Sequence, residues 1–425
     1  MWEKINRIWK LRDLRNKILF VLGLLIVFRL AAHIPIPGVD VGNLRNFFDN
    51  NQILGLANVF TGGAMENFSI VMLGVGPYIT ASIIFQLLSM IIPKLEAMMK
   101  EPDGYKKINQ YTRWLTVPLS ATSAYGTITL LQKSGQGIIG EMSIMQWAVA
   151  LTLITGGSIF LMWLGELITE KNIGNGVSLI IFSGIVARIP SVIQQVIVTF
   201  DPTKLPMIIA FLVIAVITIV GIVIITEAQR NIPVSYARQI RGNRVYGGMT
   251  THLPLRVNQA GVIPIIFAVS FVLFPPLIAQ FMVSKYTGIV ADIAQFVVEL
   301  FNNQVFYGIA YFIMVFAFTY FYTAVIFHPD QIAENLQKQG GFIPGIRPGK
   351  LTAEYLHKVS NRILLAGAIF LGAIAILPLI LKGVGGQGFS SMAIGGTSLL
   401  IVVSVAIETV KQIDSQITVR DYENF

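Results

Sequence analysis

Runs of about 20 apolar residues, the length of helix that crosses a hydrocarbon core of roughly 30 Å, recur along the whole chain with the charged residues gathered between them. Ten such runs are read, at 17–36, 70–92, 114–131, 147–168, 177–198, 205–226, 260–283, 305–327, 363–381 and 392–410. Lipid offers the backbone no hydrogen-bond partner, so segments this long and this apolar are helices rather than strands. Residue usage agrees: 54% of residues are hydrophobic and 12% charged, against roughly 25% charged in a soluble domain. The predicted fold class is an all-α polytopic membrane protein with ten transmembrane helices.

Loops rich in Lys and Arg stay in the cytoplasm, and an even number of spans puts both termini on one side. Of the 31 Lys and Arg residues, 24 fall on the N-terminal side of this topology; the other 7 are Arg29, Arg45, Lys133, Arg188, Lys204, Lys285 and Lys382. Both termini are therefore expected in the cytoplasm. The basic start, MWEKINRIWKLRDLRNK, leads into a long run without a small-residue cleavage site, so the first span is read as retained, with no removable signal peptide. The chain has no cysteine, which excludes disulfides and thiolate chemistry. A net charge of +9 fits loop topology and anionic lipid, or a polyanionic partner.

Two connections on the cytoplasmic side are long, at about 227–257 and 328–362, and long loops are usually functional or disordered. In the first, Ile232, Val234 and Tyr236 alternate as in a strand, RGNR reads as a turn, and Val245 and Tyr246 follow. That pattern predicts a β-hairpin with an arginine tip at Arg241 and Arg244. The second begins with a short helix stopped at Gly340 and Gly341, passes through FIPGIRPG, and restarts a helix with Thr352 as the expected cap. Prolines fix the backbone around Arg347, which predicts a rigid display of that side chain. A solvated loop and a docking surface for a cytosolic partner both fit.

Ten spans divide into two sets of five. Five is odd, so halves related by duplication have opposite topology, the inverted-repeat arrangement. Residues 1–200 then carry spans 1–5 and residues 201–425 carry spans 6–10.

Intramembrane enzymes need ionisable groups at depth, and these are nearly missing. No Asp lies inside a span, and Glu166, Glu227 and Glu408 lie toward cytoplasmic ends. His33, His252, His328 and His357 are scattered and form no HExxH pattern. No catalytic residue and no metal site is expected. IGNGVS (173–178) and GGMT (247–250) match neither phosphate-binding pattern, so no cofactor is expected either. The lack of midplane carboxylates weighs against proton coupling; a secondary transporter of a small solute, working through backbone carbonyls, stays open.

What remains is polar without charge. Thr80, Ser82 and Gln86 lie in the second span, positions 82 and 86 sharing a face near 75 and 79, and Asn258 and Gln259 begin the seventh. Ordinary interhelical hydrogen bonding, worth about 1 kcal/mol or less per pair, explains them, as does a water-lined passage. Just before the second span, LANVFTGGAMENFS (56–69) is too short to cross and is broken by Gly62 and Gly63.

Seven ordered blocks carry a resemblance that covers nearly the whole chain: VFRLAAHIPIPGV (27–39), NVFTGGAMENFSI (58–70), LGVGPYITASIIFQLL (73–88), FLMWLGELITEKNIGNGVSLIIFSGIVA (160–187), THLPLRVNQAGVIPIIFA (251–268), FIPGIRPG (342–349) and GGTSLLIVV (395–403). They resemble the SecY family, with a bacterial pattern. The resemblance implies two pseudo-symmetric inverted halves around a central hourglass pore, which passes unfolded secretory polypeptides across the cytoplasmic membrane and releases hydrophobic segments sideways into the bilayer.

By position, the resemblance assigns a pore ring to Val75, Ile79, Ile181, Ile266 and Ile401, with Val75 where the family more often has Ile. Aliphatic side chains there would gate by dewetting. It makes 56–69 a plug, a short helix folded back into the funnel, including Phe60, Thr61, Gly62, Gly63, Ala64, Met65, Glu66 and Asn67. It assigns Thr80, Ser82, Gln86 and Asn258 to a lateral gate, with Gln86 and Asn258 in a closing hydrogen bond. Arg241, Arg244 and Arg347 become docking residues for the ribosome, through its RNA, or for the SecA ATPase. SecE and SecG subunits, signal-bearing preproteins and membrane lipid are the other implied partners; no DNA contact is implied.

Overall fold

The computed structural model describes residues 9–37, 39, 42–44, 48, 58, 61–101, 103–133, 138–140, 142–198, 202, 205–236, 239–241, 244–246, 250–286, 288–385 and 396–423. Each of the ten apolar runs overlaps a helix. In chain order the helices are α1 (Arg12–Ala31), α2 (Gly76–Ile91), α3 (Pro93–Lys100), α4 (Gly104–Lys133), α5 (Ile144–Glu170), α6 (Gly176–Val198), α7 (Leu205–Glu227), α8 (Ile263–Lys285), α9 (Ile289–Asn302), α10 (Gln304–Ile326), α11 (Pro329–Lys338), α12 (Lys350–Gly385) and α13 (Gly396–Glu423). By length and composition five of the described helices can cross a membrane, or six if the bent pair α2 and α3 is one span. Helix α9 lies in what the sequence reading left as a connection.

The chain forms two compact units: Met1–Leu205 with Val269–Tyr307 and Ile401–Phe425, and Pro206–Ala268 with Gly308–Leu400. In the first, α2, α4, α5 and α6 pack as neighbours, and α1 lies against α5 and α6. Its core joins Ile36, Leu44, Phe48, Met65, Phe68 and Met72 to Ala124, Ile128 and Leu131 of α4 and Ala150 and Ile154 of α5. Helix α5 begins with a capping box, Ser143 and Gln146 each bonding the other's backbone N–H.

The run expected at 70–92 is helical only from Gly76, because Gly74 takes a left-handed φ of 59° and residues 61–75 are a succession of turns. At its far end the chain bends by 108° into α3. Pro93 supplies no N–H to the ladder and fits the first turn of a new helix. Threonine hydroxyls that cannot reach water donate to carbonyls one turn back, as Thr112 does to Ile108 and Thr116 to Thr112.

In the second unit α7 runs into a sheet built from β1 (Gln229–Tyr236), β4 (Thr250–Arg256) and β5 (Gly341–Phe342), ordered β4-β1-β5 and antiparallel throughout. The register runs from Gln229 opposite Arg256 to Ser235 opposite Thr250, and β5 pairs only with Ser235 and Tyr236. Pro233 therefore sits where one side of β1 is unpaired, a place that tolerates a residue without N–H. Between β1 and β4, β2 (Gln239–Arg241) and β3 (Arg244–Tyr246) pair with Arg241 opposite Arg244, so the arginines meet as expected. Ile232, Val234 and Tyr236, however, belong to β1 and pair with β4 and β5 rather than forming the first arm of this hairpin. Ile232, Val234 and Leu255 share a core with Ile343 of the second long loop and Leu356 and Val359 of α12. The two loops read separately from the sequence are thus one body.

Thr352 does not cap α12. The helix starts at Lys350, and the Thr352 hydroxyl donates to the Arg347 carbonyl at 2.9 Å. Gly349, at φ 96°, makes the entry turn. Among the apolar helices of this unit, small residues allow close approach: a Cβ on Gly372 would lie 2.6 Å from the Phe312 ring.

Candidate functional site

The segment before α2 is a buried, non-helical stretch of the first unit. Phe60, with Leu56, Ala57 and Val59, lies outside the described residues; Asn58 and 61–69 are described. Thr61, Gly62, Gly63, Ala64 and Met65 are buried and Glu66 and Asn67 half-buried. The short helix implied for this segment is not what 61–69 forms. Gly62 (φ 68°), Gly63 (φ 83°) and Phe68 (φ 44°) all take left-handed backbone, which breaks a right-handed helix.

Two kinds of contact hold the segment. On one side Met65, Phe68 and Met72 enter the core with α4 and α5, while Ile36 N–H donates to Phe68 O at 2.9 Å and Ile70 N–H to Ile34 O at 3.1 Å. On the other side the contacts are polar. Arg188 Nη2 of α6 donates to Glu66 Oε2 at 3.1 Å, and Arg29 Nη1 of α1 donates to Gly62 O at 2.7 Å. Asn58, 2% exposed, donates its amide N–H to the same Glu66 oxygen and accepts the Glu66 backbone N–H at 3.1 Å. Gly62 meets Gly184 of α6 backbone to backbone.

Sequence reasoning missed Arg29, Arg188 and Gly184 as members of this site, and gave Asn58 no role of its own within 56–69. A signal existed: Arg29 and Arg188 are among the 7 basic residues of the minority side and sit within apolar runs, where a charge is costly enough to demand a partner.

Val75 and Ile79 occupy the start of α2, one turn apart, with Ile79 N–H donating to Val75 O at 3.0 Å. Both are buried, as are Ile181 in α6 and Ile401 in α13, all in the first unit; Ile266, in the second, is buried too. On α2, Thr80 donates to Gly76 O, and Gln86 Nε2 donates to Ser82 Oγ at 3.3 Å, so 82 and 86 do share a face. Gln86 Oε1 and, in the second unit, Asn258 Oδ1 are buried without a hydrogen-bond partner among the described residues. Gln259 Nε2 reaches Ser360 Oγ at 3.5 Å.

Arg347 is exposed in a turn shaped by Gly345 (φ 83°) and Gly349 and closed by Ile346 N–H on Ile343 O at 3.0 Å. Ile343 is rooted in the core beneath the sheet, so the turn is anchored from below. Arg241 and Arg244 face each other at the end of the β2–β3 pairing. Among the described residues no group of three or more His, Asp or Glu is placed to hold a metal ion.

The SecY family model matches residues 69–410. The protein translocase subunit SecY of Mycobacterium tuberculosis is 44% identical over 97% of each chain. Among solved structures, one described as the plug domain of the SecY protein stabilising the closed state of the translocation channel and maintaining a membrane seal superposes with a TM-score of 0.60. It is 19% identical and covers 92% of this chain and 89% of that one. The channel in a canine ribosome-channel complex from the endoplasmic reticulum gives 0.60 at 18% identity, covering 93% and 91%. With a family model over most of its length and a relative this similar end to end, the chain belongs to the SecY family of protein translocase channel subunits.

Proposed function

We propose that this chain passes unfolded, signal-bearing polypeptides across the bacterial cytoplasmic membrane and releases hydrophobic segments sideways, with the segment around Glu66 as the plug of the resting channel. The observation that carries this reading is the segment itself, a buried, glycine-broken stretch of turns held on one face by separable polar contacts. The plug described for the solved relative supports the same role.

Val75, Ile79, Ile181, Ile266 and Ile401 would serve as the aliphatic ring, which cannot solvate an ion yet yields to a passing chain. Thr80, Ser82, Gln86 and Asn258 would line the lateral gate. Arg347, Arg241 and Arg244, on the body made by the two long loops, would meet the SecA motor or the ribosome, since a guanidinium pairs with carboxylate and phosphate alike. The canine relative in a ribosome complex supports the second partner. SecE and SecG would complete the channel, and both termini would be cytoplasmic.

The test is reconstitution of the full chain with SecE and SecG in proteoliposomes, with SecA, ATP and a signal-bearing precursor. Precursor should become protected from added protease in an ATP-dependent way. Uptake of a small solute without precursor protection would favour the transporter reading instead.

A further inference from the structure

We propose that Arg29 and Arg188 form a two-point polar latch on the plug, and that this latch sets how often the resting channel opens. The inference rests on the reading of 56–69 as the plug and names the residues that position it. Glu66 is the sole carboxylate between residues 56 and 69. Its Oε2 is shared by Asn58 and Arg188, while its backbone N–H is held by Asn58 Oδ1. Asn58 thus braces Glu66 from within the segment and travels with it. Arg188 belongs to α6 and Arg29 to α1, so displacement of the plug must break their two bonds, along with the backbone bond from Ile36 N–H to Phe68 O.

The geometry separates latch from anchor. Met65, Phe68 and Met72 are held by apolar burial against α4 and α5, which resists motion without a preferred release point. The arginine contacts are directional and charge-assisted, so about an ångström of travel takes them out of hydrogen-bond range. The side chains of Arg188 and Glu66 are 32% and 25% exposed, too desolvated for a surface pair of negligible worth yet open enough to exchange with water. Gly62 and Gly184 bring the backbones close enough for Arg29 to reach the Gly62 carbonyl. Once the plug leaves, both guanidiniums lose these acceptors, which favours its return after a chain has passed.

The experiment measures resting current in potassium chloride across planar bilayers holding the full chain with its partner subunits, without precursor. Glu66→Gln and Arg188→Gln should each raise the resting current about tenfold, the usual effect of losing a hydrogen bond to a charged group. Arg29→Gln should act in the same direction. The charge swap Glu66→Arg with Arg188→Glu should return the current toward wild type, which a merely structural role would not do. Because the chain has no cysteine, Glu66→Cys with Arg188→Cys can be bridged by a short bis-maleimide, and bridging should stop ATP-driven precursor transport. Deletion of 58–67 is the control for the plug itself. Tight single variants beside a leaky deletion, or no recovery in the charge swap, would overturn the latch while leaving the plug; a tight deletion would overturn both.

Discussion

Gly62 and Gly184 meet so closely that a Cβ built on either would lie 2.6 Å from the other's Cα. No rotamer change relieves a clash with backbone, so a side chain here must move one element off the other. Alanine in a helix is favoured over glycine by about 1 kcal/mol, so Gly184→Ala should stabilise α6 itself. We expect a severalfold rise in resting ion current despite that gain, and a larger one for Gly184→Val. Current equal to wild type in both would show that the contact does not hold the segment.

Leu356 is fully buried beneath the sheet, touching a core drawn from both long loops. Leu356→Ala should cost about 2–5 kcal/mol locally, as buried leucine truncations do. Limited proteolysis should then cut within 227–257 and within 328–349 together, because Ile232 and Ile343 lose the same support. Cleavage of one loop alone would contradict the single shared core.

The long apolar helices were legible because membrane crossing imposes a length and a composition. Each expected run overlaps a helix, and five or six of these helices meet that test among the described residues. The alternation of Ile232, Val234 and Tyr236 marked β1 and not an arm of the β2–β3 hairpin, whereas the pairing of Arg241 with Arg244 was legible from RGNR as a turn signal. The pairing of β1 with β4 and with Phe342 was not, because those partners lie up to about a hundred residues apart and include His252, Pro254 and Gly341, which carry no strand signal. Thr352 misled because Gly349, not a side-chain cap, turns the chain into α12. In the segment before α2, Gly62 and Gly63 correctly marked a break. The use of that break depended on Gly184 and Arg188, more than a hundred residues further on, and only their burden within an apolar run hinted at it.

Arg347 stands exposed on a turn whose base is buried at Ile343. Its side chain adds nothing to that core, so Arg347→Glu should change the melting behaviour little, within about 0.5 kcal/mol as at other surface positions. Transport driven by SecA should fall at least several-fold, measured as protease-protected precursor in proteoliposomes. Unimpaired transport would remove Arg347 from the docking surface, and a lowered melting temperature would recast it as a structural residue.

Gln86 and Asn258 each bury a side-chain carbonyl oxygen that has no partner among the described residues. A buried acceptor without a protein partner costs about 1–3 kcal/mol, and in the proposed lateral gate opening would let water donate to both oxygens. Replacing Gln86 or Asn258 with leucine removes the unpaired oxygen and should stabilise the resting form. Each variant should therefore melt no lower than wild type, while precursors with weakly hydrophobic signal sequences are transported several-fold less and strong ones nearly as before. A graded series of signal sequences in the reconstituted system checks this; an unchanged threshold in both variants would take these two residues out of the gate.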